Sequence, residues 1–196
     1  ESLTSFKQVL YFVEDVGFKL LDTMIYAKKS YAPAYPNMCR YAQTFEYMFV
    51  LIKGNKPKTF NPIKTEKQQS SIRNKEEVRG YRQKDGSMTY KRMKTDNLLK
   101  NECNVWVYAV GFMKSSKDKI SFKHPATFPE ALAQDHILSW SNEGDIVLDP
   151  FIGSGTTAKM AYLNGRNYCG IDISEEYCRI ARQRVEQAQM QQTLFG

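Results

Sequence analysis

Long apolar runs are absent from this chain of 196 residues. No stretch of about 18 or more apolar residues is available to cross a bilayer as a helix. The opening Glu1-Ser-Leu-Thr-Ser lacks the charged-then-apolar layout of a secretory signal. The expectation is a soluble, cytoplasmic protein with no membrane partner. Cysteine and histidine are also scarce, four and two respectively. Cys39, Cys103, Cys169 and Cys178 form no C-x-x-C pair, and His124 and His136 are not spaced to complete a zinc site, so no metal is expected. The cysteines read as reduced, small apolar packing groups. No internal repeat is visible.

Positive charge is abundant, and it is concentrated. Of a net +7, the stretch from Lys53 to Lys100 holds fourteen Lys/Arg against five acids, an excess of nine that leaves the rest of the chain at −2. A local excess of this size suits a polyanion, because each neutralised phosphate releases condensed counterions. It also fits a solubilising loop. The apolar content of 42% supports one sizeable core, hence one domain with an insertion.

Leu3, Phe6, Val9, Leu10, Val13 and Val16 recur at helical spacing, and Gly17 can end that helix. Residues 18–27 read as a strand and Tyr47–Ile52 as a second, fully buried one, with a Pro-rich connection between them. Residues 55–104 lose the pattern, and Asn104–Val110 resumes strand alternation. Thr127-Phe-Pro-Glu130 has capping-box spacing ahead of a helix whose face carries Leu132, Ala133, His136, Ile137 and Trp140. His136 reads as a helix-face residue. Ile146–Leu148 is a short strand, followed by a Gly-rich turn, a helix over 156–164, and a strand Tyr168–Asp172. Ser174 can cap the last helix, with Glu175 and Glu176 placed well against its dipole and Arg179, Arg182 and Arg184 further along.

Strand, Gly-rich turn, helix and strand make a βαβ unit. Its turn, Gly153-Ser-Gly155-Thr-Thr-Ala158, fits the G-x-G-x-x-(G/A) pattern that lets backbone N–H groups and a helix N-terminus approach a ligand. Asp172 follows Gly153 by 19 residues, where a carboxylate can accept both hydroxyls of an adenosine ribose. Both a nicotinamide dinucleotide and S-adenosyl-L-methionine fit so far. Asp149, just before the turn, would repel a pyrophosphate but can pair with the ammonium of a methionine moiety. That carboxylate favours S-adenosyl-L-methionine.

HPATFPEALAQDHI, GDIVLDPFIGSGTTAKMA and GIDISEEYCRIARQR together closely resemble the C-terminal half of DNA methyltransferases that act on exocyclic amino groups. The subgroup is the one whose cofactor motif follows the target-recognition region. Arg40, Phe45-Glu46 and Lys53-Gly54 resemble its last core strand, and Asn104-Val-Trp106 its return from the recognition region. The resemblance implies a Rossmann-like α/β methyltransferase fold, incomplete in this chain and carrying a basic insertion. It divides the chain into a first part of the core (1–54), a target-recognition insertion (55–104) and an S-adenosyl-L-methionine-binding part (105–196). Cofactor contacts fall on Thr127, Phe128, Asp149, Phe151, Gly153, Ser154, Gly155 and Asp172. Contacts to double-stranded DNA fall on Arg73, Arg79, Arg82, Lys84, Lys91 and Arg92. Thr156 and Thr157 serve equally as helix caps.

The family's catalytic element, a short (Asp/Asn/Ser)-Pro-Pro-(aromatic) loop that holds the amino group of a flipped base, has no counterpart: no Pro-Pro pair occurs in this sequence. Ala32-Pro33-Ala34-Tyr35-Pro36 follows the wrong strand and lacks the polar first residue. In this subgroup the loop precedes the helix that opens this chain, and residue 1 is not a methionine. The expectation is an interrupted sheet, completed by an N-terminal segment or a second chain. The resemblance implies methyl transfer from S-adenosyl-L-methionine to the amino group of adenine or cytosine by direct attack. An inert module that binds cofactor and DNA, an RNA methyltransferase and a nicotinamide-dependent oxidoreductase are the alternatives.

Overall fold

The computed structural model describes residues 3–30, 39, 41–67, 78–92 and 98–195. Arg40, Arg73 and the Ala32–Pro36 stretch lie outside them. The chain divides into two compact units, Glu1–Asn61 with Cys103–Gly196, and Pro62–Glu102.

The larger unit opens with α1 (Thr4–Glu14). Phe6 sets its ring edge-on to Tyr47 and Phe49, at 5.1 and 5.7 Å, which docks the helix on the second strand. Gly17, at φ +84°, takes the left-handed turn that lets the Phe18 N–H reach back to the Phe12 carbonyl. β1 (Lys19–Lys28) is the centre of a three-stranded sheet. It pairs antiparallel with β2 (Phe45–Ile52) and parallel with a later strand, β7 (Val105–Tyr108). β2 is not fully buried: its first three residues are exposed and the rest half-buried. The apolar run marked a strand correctly, but β2 is an edge strand, with no partner on its outer side among the described residues.

The βαβ unit forms a separate two-stranded parallel sheet, β8 (Ile146–Asp149) beside β9 (Asn167–Gly170). α2 (Glu130–Trp140) and α4 (Glu175–Phe195) flank α3 (Thr156–Leu163). Ala133, Ile137, Met160 and Ala161 form one apolar cluster against Val147 and Leu163; Ile152, Ala158, Ala181 and Val185 form another against Tyr162. Burial of these side chains is what holds the short helices in place. Among the described residues the two sheets do not join. Tyr47 and Met48 of edge strand β2 and Ile146 and Val147 of edge strand β8 line one open, mostly apolar cavity of about 540 Å³, together with Leu132, Ala133, His136 and Trp140 of α2.

The smaller unit contains β3 (Lys64–Glu66) paired with β6 (Leu99–Asn101), and a hairpin of β4 (Val78–Arg82) and β5 (Met88–Arg92). The hairpin turn is closed by Asp85, whose carboxylate accepts both the N–H and the hydroxyl of Ser87, and by Gly86 at φ +88°. Among the described residues no helix is long and apolar enough to cross a membrane, and no group of three or more His, Cys, Asp or Glu is placed to hold a metal.

Candidate functional site

β8 delivers Asp149 to the end of its strand, where Oδ1 accepts the Phe151 N–H at 3.0 Å. The chain then turns through Gly153 and Gly155, both at positive φ (+50° and +81°), into the N-terminus of α3. Gly155 permits close packing as well as the turn: a Cβ there would lie 2.6 Å from the Cα of Ala181 on α4. At Gly153 a Cβ would approach the His124 ring at 3.0 Å, so the segment around His124 lies directly over the turn. The His124 ring in turn meets Tyr177 edge-on at 4.5 Å.

Asp172, just past β9, ties the unit together. Its Oδ2 accepts the Gly153 N–H and its Oδ1 the Ser174 N–H, both at 2.9 Å. The carboxyl is held below its ordinary range chiefly by the Ser174 N–H, helped by the Gly153 N–H and the His124 ring. Each oxygen accepts one hydrogen bond and keeps capacity for another, which is the pair of acceptors that a ribose diol needs. On Asp149, Oδ2 has no partner among the described residues, consistent with a carboxylate available to an ammonium. The residues therefore fit an aminoacyl-type nucleoside in which an anion-seeking diol and a cation lie at opposite ends.

The expected site residues divide by location. Asp149, Gly153, Ser154, Gly155 and Asp172 are brought together. Phe151 is 86% exposed beside them, so among the described residues that ring is not packed in the core. Phe128 lines the 540 Å³ cavity with Thr157, and Thr127 and Phe128 line a second cleft of about 490 Å³ with Tyr26, Lys28, Glu46 and Phe112. Ser174 caps α4, accepting the Tyr177 N–H. The capping box at Thr127–Glu130 does not form: Pro129 takes the cap position and no side chain caps α2. Glu130 turns inward instead, accepting from Ser116, Lys159 and Arg184. Arg79, Arg82, Lys84, Lys91 and Arg92 are all exposed on the β4–β5 hairpin. Arg79 sits directly opposite Lys91, while Arg82 and Arg92 share the other face with Met88 and Tyr90.

Sequence reasoning missed the charged cluster beneath the turn. Arg184 is completely buried and Lys159 nearly so. The signal was present: Arg184 falls among Ile180, Ala181, Val185 and Ala188 on the apolar stripe of α4, and Lys159 lies between Ala158 and Met160.

A parallel βαβ unit with a Gly-rich turn, an acid before it and an acid after the second strand defines a Rossmann-like α/β protein of the methyltransferase fold. The chain belongs to the N6_N4_Mtase family, described as DNA methylase, whose profile matches residues 3–183. It is 53% identical over 190 residues to the orphan methyltransferase M.BamHII of Bacillus amyloliquefaciens, covering 95% of this chain and 69% of that protein. Among solved structures, it resembles the cytosine-N4-specific PvuII DNA methyltransferase, with a TM-score of 0.64 and 17% identity over 96% of this chain and 61% of that one. It also resembles M1.HpyAVI in its complex with SAM, with a TM-score of 0.60 and 22% identity over 93% of this chain and 69% of that one.

Proposed function

We propose that this chain carries the cofactor-binding and target-recognition parts of a DNA methyltransferase that modifies the exocyclic amino group of adenine or cytosine, with S-adenosyl-L-methionine as cofactor. The observation that carries the reading is Asp172 bonded to the Gly153 N–H at 2.9 Å with Asp149 at the opposite end of the same turn. Asp172 takes the ribose hydroxyls, Asp149 the methionine ammonium, and Gly153, Ser154 and Gly155 approach the ligand with their backbone. Phe151, Thr127 and Phe128 cover its apolar surface. The name of M1.HpyAVI in complex with SAM supports the same ligand here. The cofactor supplies a methyl group already activated on a sulfonium. The protein therefore positions and desolvates the two reactants, with no covalent link to the base.

The exposed cations Arg79, Arg82, Lys84, Lys91 and Arg92 contact the phosphates of double-stranded DNA, with Arg73 assigned to the same role from the sequence.

Methyl transfer needs more than the described residues provide. Two edge strands line one cavity, and no Pro-Pro loop occurs in the sequence. Unpaired strand edges beside an apolar cavity are templates for further strands. Further strands bearing the catalytic loop fill that cavity, from an N-terminal segment or a second chain. Until they do, the chain binds without turning over. Calorimetric titration with S-adenosyl-L-methionine tests the cofactor site. Binding with micromolar affinity that weakens by about tenfold or more in Asp172→Ala and Asp149→Ala is expected. Absence of binding at millimolar cofactor would refute it.

A further inference from the structure

We propose that Arg184, Lys159, Asp118 and Glu130 form a positioning cluster that sets the shape of the Gly-rich turn and couples it to the 119–129 segment, so that cofactor affinity depends on the cluster without the cluster touching the ligand. The inference rests on the reading of the turn as a cofactor site.

Arg184 spends all its donors on this task. Nη1 donates to the Ser154 carbonyl at 2.7 Å, and to the hydroxyls of Ser154 and Thr156 at 3.3 and 3.1 Å. Nη2 reaches Glu130 at 2.6 Å and Ser116 at 3.3 Å, and Nε reaches Asp118 at 3.0 Å. Lys159 bridges the same two acids, at 2.7 Å to Asp118 and 2.9 Å to Glu130. The cluster is neutral, two cations against two anions. Burial alone would raise the Asp118 carboxyl, but the hydrogen bonds and charges of Lys159 and Arg184 outweigh it and hold it below its ordinary range.

Two geometric consequences follow. The peptide plane between Ser154 and Gly155 is pinned at both ends: its carbonyl accepts from Arg184, and its N–H donates to the Ile152 carbonyl at 2.8 Å. One helical turn before Arg184, Ala181 packs on Gly155 too closely for any side chain there, so α4 grips the turn at two points. Meanwhile Asp118 and Glu130 bracket residues 119–129, the segment that lays His124 over Gly153 and carries Thr127 and Phe128. One cluster thus anchors both walls of the site. Packed apolar residues would serve stability equally well at less desolvation cost; a buried charged cluster is suited to defining one arrangement.

The test compares the parent protein with Arg184→Lys and with Ser116→Ala. The second variant removes only a hydroxyl linking Arg184, Glu130 and the Asp118 N–H. Amide hydrogen exchange is read at Gly153 and Gly155, whose N–H groups are bonded, with β1 amides as reference. The cluster account predicts exchange at both glycines faster by about tenfold in Arg184→Lys and by about threefold in Ser116→Ala, while β1 is unchanged. S-adenosyl-L-methionine binding weakens by similar factors. Uniform acceleration across β1 and the turn, or no acceleration at all, overturns the proposal, as does selective acceleration with unchanged affinity. If Arg184→Lys does not fold, Ser116→Ala decides. If the parent binds no cofactor, the cofactor reading fails, and exchange alone then judges the cluster.

Discussion

Asp172 shows how much one side chain can do at the end of a strand. It closes the turn by accepting from Gly153, starts the next helix by accepting from Ser174, and keeps a lone pair spare on each oxygen. Its position was readable from sequence because strand, turn and acid are close in the chain. Arg184 was not readable in the same way, because its partners lie 28 to 68 positions away, and only the fold brings Ser116, Glu130 and Ser154 to one guanidinium. His136 offers a separate test at this scale. It packs against Trp106 with ring centroids 4.7 Å apart, and its Nε2 lies 3.1 Å from the Met48 sulfur. Burial pushes its pKa down to about 4. In the unfolded chain the ring protonates near 6.5, so between about pH 4 and 6.5 the unfolded state binds the extra proton. Its contribution is present above pH 6.5 and is lost as pH falls towards 4, by on the order of 2 kcal/mol after discount for residual exposure. Urea denaturation of the parent should show this loss across that window. His136→Phe should flatten it, and an equal loss in both proteins would show that other groups are responsible.

At the scale of elements, the apolar periodicities located α1, β1, β2 and the βαβ unit because each carries its own pattern over consecutive residues. They did not give β2's edge position, since a run such as Tyr47–Ile52 looks the same in an edge strand as in a central one. Nor did they reveal the hairpin. β4 and β5 are short, charged and exposed throughout, and the one alternation they carry, Met88-Thr89-Tyr90-Lys91, is too brief to stand out among the charges. What stabilises them is their turn, where Asp85 holds Ser87, and the cross-strand contacts of Tyr90 and Met88 over Gly80. If the hairpin contacts phosphates, the salt dependence of DNA binding should register it. Replacing Arg79 and Lys91 with alanine is expected to lower the slope of log affinity against log salt by about two. An unchanged slope would remove this hairpin from the interface.

At the scale of the whole molecule, the charge and the sheet tell one story. The basic stretch carries an excess of nine positive charges on a chain otherwise slightly acidic, the distribution that the proposed DNA contacts call for. The sheet stands in two pieces whose edge strands, β2 and β8, line a common apolar cavity. An interrupted sheet was legible in the sequence as a missing Pro-Pro loop; the cavity was not, because its walls come from β1, β2, α2, β8 and α3, with Tyr26 and Thr157 lying 131 positions apart.

The most direct measurement is methyl transfer from isotopically labelled S-adenosyl-L-methionine to mixed-sequence double-stranded DNA, with the product nucleosides identified by mass spectrometry. It is run with residues 1–196 alone and with the same chain joined to a segment bearing the Pro-Pro loop. The account predicts label on the exocyclic nitrogen of adenine or cytosine in the joined protein only. Robust turnover by residues 1–196 alone, or label on a ring carbon, would contradict it.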